Sequence, residues 1–301
     1  MKPFTDNADH PNIEGKFAAI VVCWILGNGC LFAWNSMLTI EDYYVHLFPK
    51  YHPSRVLTLV YQPCALTTIV ILASREAKIN TRNRNLVGYA LFFLSSLAVL
   101  VLDLATSGKG GLIAFVGICI VSGLFGVADA HVQGGMIGDL SFMHPQFIQS
   151  FLAGLAASGA LTSALRLITK ALLFFAISSF FELICVVLYA FVFPKLPVVK
   201  YYRAKAATEG SKTVCADLAA GGLQTLPDQE AVERAKYETR FSNKELLKQN
   251  ADYAVDIFLI YALTLSIFPG FLSEDTGSHS LGTWYVLVLF LLRKIRSMSR
   301  G

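Results

Sequence analysis

Residues 123–139 read GLFGVADAHVQGGMIGD. They continue an apolar run that opens at Gly110, and into it they set Asp129, His131 and Gln133. A carboxylate and a carboxamide near the middle of a hydrocarbon-embedded helix are costly. They are kept where they meet a polar ligand or line a water-filled path. The segment therefore predicts a membrane span and marks the place to look for function.

The rest of the chain has the same character. Of its 301 residues 54% are hydrophobic and 15% charged, against roughly 25% charged in soluble domains. Lys16 and Glu41 bracket a stretch with no charged residue, longer than the roughly 20 residues that cross a bilayer. Further runs cover Val56–Ser74, Leu86–Leu102, Gly110–Ala128, Phe147–Leu165, Ala171–Phe193 with Glu182 inside it, and Ile257–Ser273. The fold class expected is an all-α polytopic membrane protein. The first run is too long for a signal-peptide core and reads as a retained span. Five of the six cysteines lie in apolar runs, and their spacing suggests neither a disulfide framework nor a metal site.

Lys and Arg in short loops set orientation. Arg75, Lys78, Arg82 and Arg84 follow the second run. Lys195, Lys200, Arg203 and Lys205 follow the sixth, and Arg293, Lys294, Arg296 and Arg300 close the chain. All fall on one side if the N-terminus is cytoplasmic. Glu41, Asp42, Asp103, Glu274 and Asp275 then fall on the other. The organisation expected is a cytoplasmic N-terminus at 1–16, a six-span bundle at 17–196, a cytoplasmic loop at 197–250, and span seven, a partial span eight and a basic tail at 251–301. The Ala-, Gly- and Thr-rich first part of the loop reads as flexible. Its second part, DQEAVERAKYETRFSNKELLKQN, has the charge spacing of a surface helix.

In lipid, small residues let helix backbones approach. Ser122, Gly126, Ala130, Gly134 and Gly138 recur every four residues, as do Ser150, Gly154, Ser158 and Thr162. Spans four and five should pack closely on neighbours through these stripes. Asp129 and Gln133 lie one position round from the first stripe, facing the bundle interior. In span one Leu31, Asn35 and Leu38 share a face with Trp34 beside it. Trp34 at that depth could stack on a flat ligand, and Asn35 could bind it. A helix–helix hydrogen bond and a bulky packing residue would also explain the pair. Glu182 has no evident partner. Asp129, His131 and Glu182 are candidates for proton coupling, although each could be structural. No zinc-protease or nucleophile-elbow pattern is present, so an enzyme is not expected. Neither a cofactor nor a bound metal is expected.

GNGCLFAWNSMLTIEDYY at 27–44 resembles the equilibrative nucleoside transporter family. So do HVQGGMIGDLSF at 131–142, FPKLPVVKYY at 193–202 and LTLSIFPGFLSED at 263–275. The order and spacing match over nearly the whole chain, with the wording of a plant member. The resemblance implies a major-facilitator-like fold, six spans and a loop followed by a second bundle. It implies passage of nucleosides or nucleobases through a lipid bilayer, down a gradient or with protons, and no nucleic-acid partner. It places Leu31, Trp34, Leu38 and Cys64 on the pocket wall and Gln133 on the base edge. That fits a base, whose faces need an apolar wall and whose edge suits a bidentate amide. The plasma membrane is expected rather than an internal one.

Two departures stand out. The family's span eight carries an Asp and, four residues on, an Arg for the ribose. Here Thr283–Phe290 gives way to Leu-Leu-Arg-Lys-Ile-Arg, so the second bundle reads as incomplete. The outer turn Arg166-Leu-Ile-Thr-Lys170 is also shorter than the family's. The reading is a nucleoside transmembrane transporter working by alternating access. The alternative is a truncated, non-transporting chain that associates with or regulates full-length transporters.

Overall fold

A computed structural model describes residues 15–75, 79–106, 110–220, 248–253, 255–256 and 259. Two compact units divide the chain, Met1–Lys200 with Ser278–Gly301, and Tyr201–Gly277. In the first unit the order is α1 Lys16–Thr39, α2 Glu41–Leu47, α3 Pro53–Ser74, α4 Thr81–Thr106, α5 Leu112–Ser141, α6 Pro145–Ile168 and α7 Ala171–Val187. α8, Pro197–Ala220, follows. Among the described residues, six helices are long and apolar enough to cross a membrane: α1, α3, α4, α5, α6, and α7 with its extension to Lys195. The protein is an all-α polytopic membrane protein. The expected seventh span and partial eighth lie outside the described residues, apart from a few helical positions near the start of the seventh.

α1 and α5 form the centre. Within their apolar windows 61% and 56% of residues are buried, against 22–39% in the other four spans. α6 packs along α1, α3 and α4 pack on α5, and α7 rests on α4 and α1. The outward faces keep large apolar side chains exposed, including Leu66 and Val70 of α3, Val101 of α4 and Phe180 of α7. Such faces suit lipid.

The small-residue stripes work as expected. On α6, the Ser150 hydroxyl donates to the Ile20 carbonyl at 2.7 Å, and Gly154 lies against the Trp24 carbonyl and Asn28 amide. Ser158 accepts from Asn35 Nδ2 at 2.6 Å, and Thr162 accepts from Thr39 at 3.3 Å. On α5, the Ser122 hydroxyl donates to the Leu57 carbonyl at 2.8 Å, and Gly126 meets the Tyr61 carbonyl. The two stripes thus choose different partners, α1 for α6, and for α5 first α3 and then, at Ala130 and Gly134, Arg84 of α4.

Several features depart from the sequence reading. The turn after span one holds a short helix, α2, which buries its Tyr44 and, just past its end, Phe48. The α6–α7 turn is as tight as the sequence suggests, with Arg166 Nη1 donating to the Thr169 carbonyl at 3.2 Å. α7 loosens into a π turn at Leu188–Val192 just before Pro194. Proline has no N–H to offer and crowds the preceding turn, so the ladder widens there. The expectation of a flexible stretch after residue 197 is corrected: α8 runs to Ala220. Pro197 at its first turn and its many alanines favour helix over coil. The charged segment at 228–250 lies almost wholly outside the described residues.

Candidate functional site

The site grows from α5, where Asp129 and Gln133 occupy one face a turn apart. Asp129 is buried. Its carboxylate accepts from Cys30 Sγ of α1 at 3.4 Å and lies beside the Tyr61 hydroxyl of α3. Tyr61 in turn stacks on Trp34, with ring centroids 3.9 Å apart and planes 17° from parallel. A carboxylate, a phenol and an indole from three helices are thereby joined in one unit. Tyr61 escaped the sequence reading. Its only signal was its place in YQPCAL, the stretch that carries Cys64.

Gln133 is half-buried, and its carboxamide makes no side-chain hydrogen bond among the described residues. Leu31 and Leu38 are likewise half-buried on α1. Trp34 is 7% exposed, so its ring is covered here and one face already rests on Tyr61. Asn35 spends its amide N–H on Ser158, tying α1 to α6. Cys64 turns its sulfur toward Gly123 of α5.

The three candidates for proton coupling separate. Asp129 belongs to the Trp34–Tyr61 unit. His131 is half-buried and turned away, its Nδ1 on its own helix at the Val127 carbonyl, 2.8 Å. It packs beside Gly88 of α4. Glu182 of α7 is completely buried beside Gly29 and the Ala33 backbone of α1, and neither oxygen makes a hydrogen bond of good geometry. Cys30 lies between Asp129 and Glu182 and neighbours both.

Arg84 of α4 braces the turn of α5 that bears Gln133. Its Nε donates to the His131 carbonyl at 3.2 Å and one Nη to the Ala130 carbonyl at 3.1 Å. Gly134 leaves room for that guanidinium. Nearby, Asn85 Nδ2 donates to the Tyr189 hydroxyl at 3.0 Å, and the Tyr89 hydroxyl donates to the Leu26 carbonyl at 2.9 Å. The sequence reading used Arg84 only for orientation.

Six spans that bury Asp129 and Glu182 between them make this a polytopic membrane protein with carboxylates held at membrane depth. The family model for nucleoside transporters matches residues 118–295, and the chain belongs to that family. It is 59% identical to Equilibrative nucleotide transporter 2 of Arabidopsis thaliana over 300 residues, covering 95% of this chain and 72% of that protein. It is 62% identical to Equilibrative nucleotide transporter 3 of the same plant over 297 residues, covering 94% and 71%. Equilibrative nucleotide transporter 1 is 32% identical over 289 residues.

Proposed function

We propose that the face of α1 and α5 bearing Leu31, Trp34, Leu38 and Gln133 receives the base of a nucleoside or nucleobase. The chain is a nucleoside transmembrane transporter by its family. The observation that carries the site is Gln133, whose carboxamide makes no side-chain hydrogen bond among the described residues and lies one turn from Asp129 of the Trp34–Tyr61–Asp129 unit. An amide offers both a donor and an acceptor, which is what a base edge requires. Asn35 takes the lesser part, holding α1 on α6, and Cys64 lines the wall beside Gly123. Rocking of the bundle against the remaining spans would expose the face to each side in turn. The family assignment does not favour a non-transporting chain.

Asp129 is the proposed proton carrier, because it is buried beside Tyr61, which stacks on Trp34. The test is uptake of labelled adenosine or uridine into liposomes containing the protein. Saturable uptake that rises at acidic outside pH is expected, and Asp129→Asn should flatten the pH dependence. Uptake no greater than in empty liposomes would overturn the reading, and uptake indifferent to pH would remove the proton from it.

The proposed orientation places the N-terminus and α8 in the cytoplasm, with the plasma membrane as the residence. Arg75, Arg82, Arg84 and Lys195 lie at the N-terminal end of the bundle; Lys50, Arg55, Arg166 and Lys170 lie at the other end. The bias is thus less one-sided than the loops alone suggest. Lys50 and Lys205 are both exposed. With Lys50→Cys and Lys205→Cys in a cysteine-free background, a membrane-impermeant thiol reagent applied outside intact cells should label the first and spare the second. The reverse pattern would invert the topology.

A further inference from the structure

α7 lines up Phe175, Ser178, Ser179 and Glu182 on its buried face. Glu182 ends this row with both oxygens unpaired among the described residues. The titratable groups facing it are Cys30 of α1, Tyr89 of α4 and Cys185 of its own helix, with Asp129 of α5 beyond Cys30. α6 offers no titratable side chain between Pro145 and Leu165. No Lys, Arg or His faces Glu182 among the described residues. A carboxylate in this setting would be an uncompensated buried charge.

A row of polar groups leads from Glu182 toward the α2 end of the bundle. One turn up, the Ser178 and Ser36 hydroxyls are 3.1 Å apart. They line a small cavity with Ser96, whose hydroxyl is unpaired. Val99 and Phe175 border this cavity and also a second one, which reaches Tyr44 and Asp103. The Tyr44 hydroxyl is buried and unpaired as well. Each cavity has room for about one water molecule. Asp103, at the end of α4, is half-buried and accepts from the Tyr43 hydroxyl at 2.5 Å. Burial, and then the bond to Asp103, pushes the Tyr43 phenol up to about 12.

We propose that Glu182 is a proton-binding site inside the bundle, supplied from the α2 end through a file of water held by Tyr44, Ser96, Ser36 and Ser178. Buried polar atoms without protein partners are satisfied by water, and such a file passes protons by exchange of hydrogen bonds. Each water hands one proton on as it accepts another. The carboxylate becomes a neutral carboxylic acid, and an outside hydronium is left as water. This deepens the proton reading of the transporter, on which it rests only for its effect on uptake. Its path avoids the face of α1 and α5 assigned to the nucleoside.

The experiment is infrared spectroscopy of the full chain in liposomes, reading the carbonyl stretch of protonated carboxyls. Wild type should show a band assignable to Glu182 that shifts on transfer into D2O. Glu182→Gln should lose it, and Glu182→Asp should move it. Ser96→Val should leave the band in place and slow its D2O shift several-fold by closing the file. A spectrum unchanged in both Glu182→Gln and Glu182→Asp would overturn the site. If Glu182→Gln fails to insert, Glu182→Asp decides alone. An exchange rate unchanged in Ser96→Val would overturn the path. Uptake of labelled uridine by the same liposomes is measured in parallel, so absent transport is seen apart from an absent proton site.

Discussion

Gln133→Ala is expected to weaken nucleoside affinity by about 1–3 kcal/mol, roughly five- to 150-fold. The side chain is half-buried and its amide is uncommitted within the described structure. A bound base would therefore find this amide free of any side-chain partner among the described residues, and truncation leaves the base edge desolvated without one. Trp34→Ala should also weaken binding, by a different route. Its ring holds Tyr61 in place, and Tyr61 lies beside the Asp129 carboxylate. Removing it loosens the wall and the carboxylate together. Binding of labelled uridine to purified variants measures both. Unchanged affinity in the two, at normal membrane levels, would return these residues to a structural role.

The second large effect is on the bundle itself. Gly154→Val should destabilise it by about 1–3 kcal/mol or more, as overpacking does. A side chain at Gly154 would strike the Trp24 carbonyl and the Asn28 amide, and one at Gly27 the Phe151 carbonyl. These are backbone atoms of helices, which cannot rotate aside, so α1 and α6 would have to separate. Gly159→Ala is the control. There the nearest atom is Asn35 Nδ2 at 3.8 Å, an ordinary contact. Thermal unfolding in detergent, followed by size exclusion, should show a lower midpoint for Gly154→Val and none for Gly159→Ala. Equal midpoints would mean that close approach of the two backbones matters little.

Asn35 shows how a polar residue in a span can be read two ways. From sequence it served as a ligand group or as a helix tie, because both need a hydrogen-bond partner in an apolar setting. Its bond to Ser158 could be seen only once α6 lay beside α1. Ser158 was already visible as a member of a small-residue stripe, but the stripe does not name the helix it will meet. His131 illustrates the same gap. Two positions from Asp129 in sequence, it points to another face and bonds its own backbone.

The sequence by itself determined that this is a polytopic helical membrane protein, where six of its spans lie, which two helices carry close-packing stripes, and which few polar residues sit at membrane depth. Those features depend on local quantities: the length of an apolar run, a four-residue repeat, and the cost of a charge in hydrocarbon. Tertiary structure alone decided that Tyr61 lies between Trp34 and Asp129, that Arg84 braces the Gln133 turn, and that Ser36 of α1 meets Ser178 of α7 one turn from Glu182. Each of these is a contact between helices distant in the chain. Its partner is set by how the helices pack and rotate against one another, and periodicity within one span carries no information about that rotation.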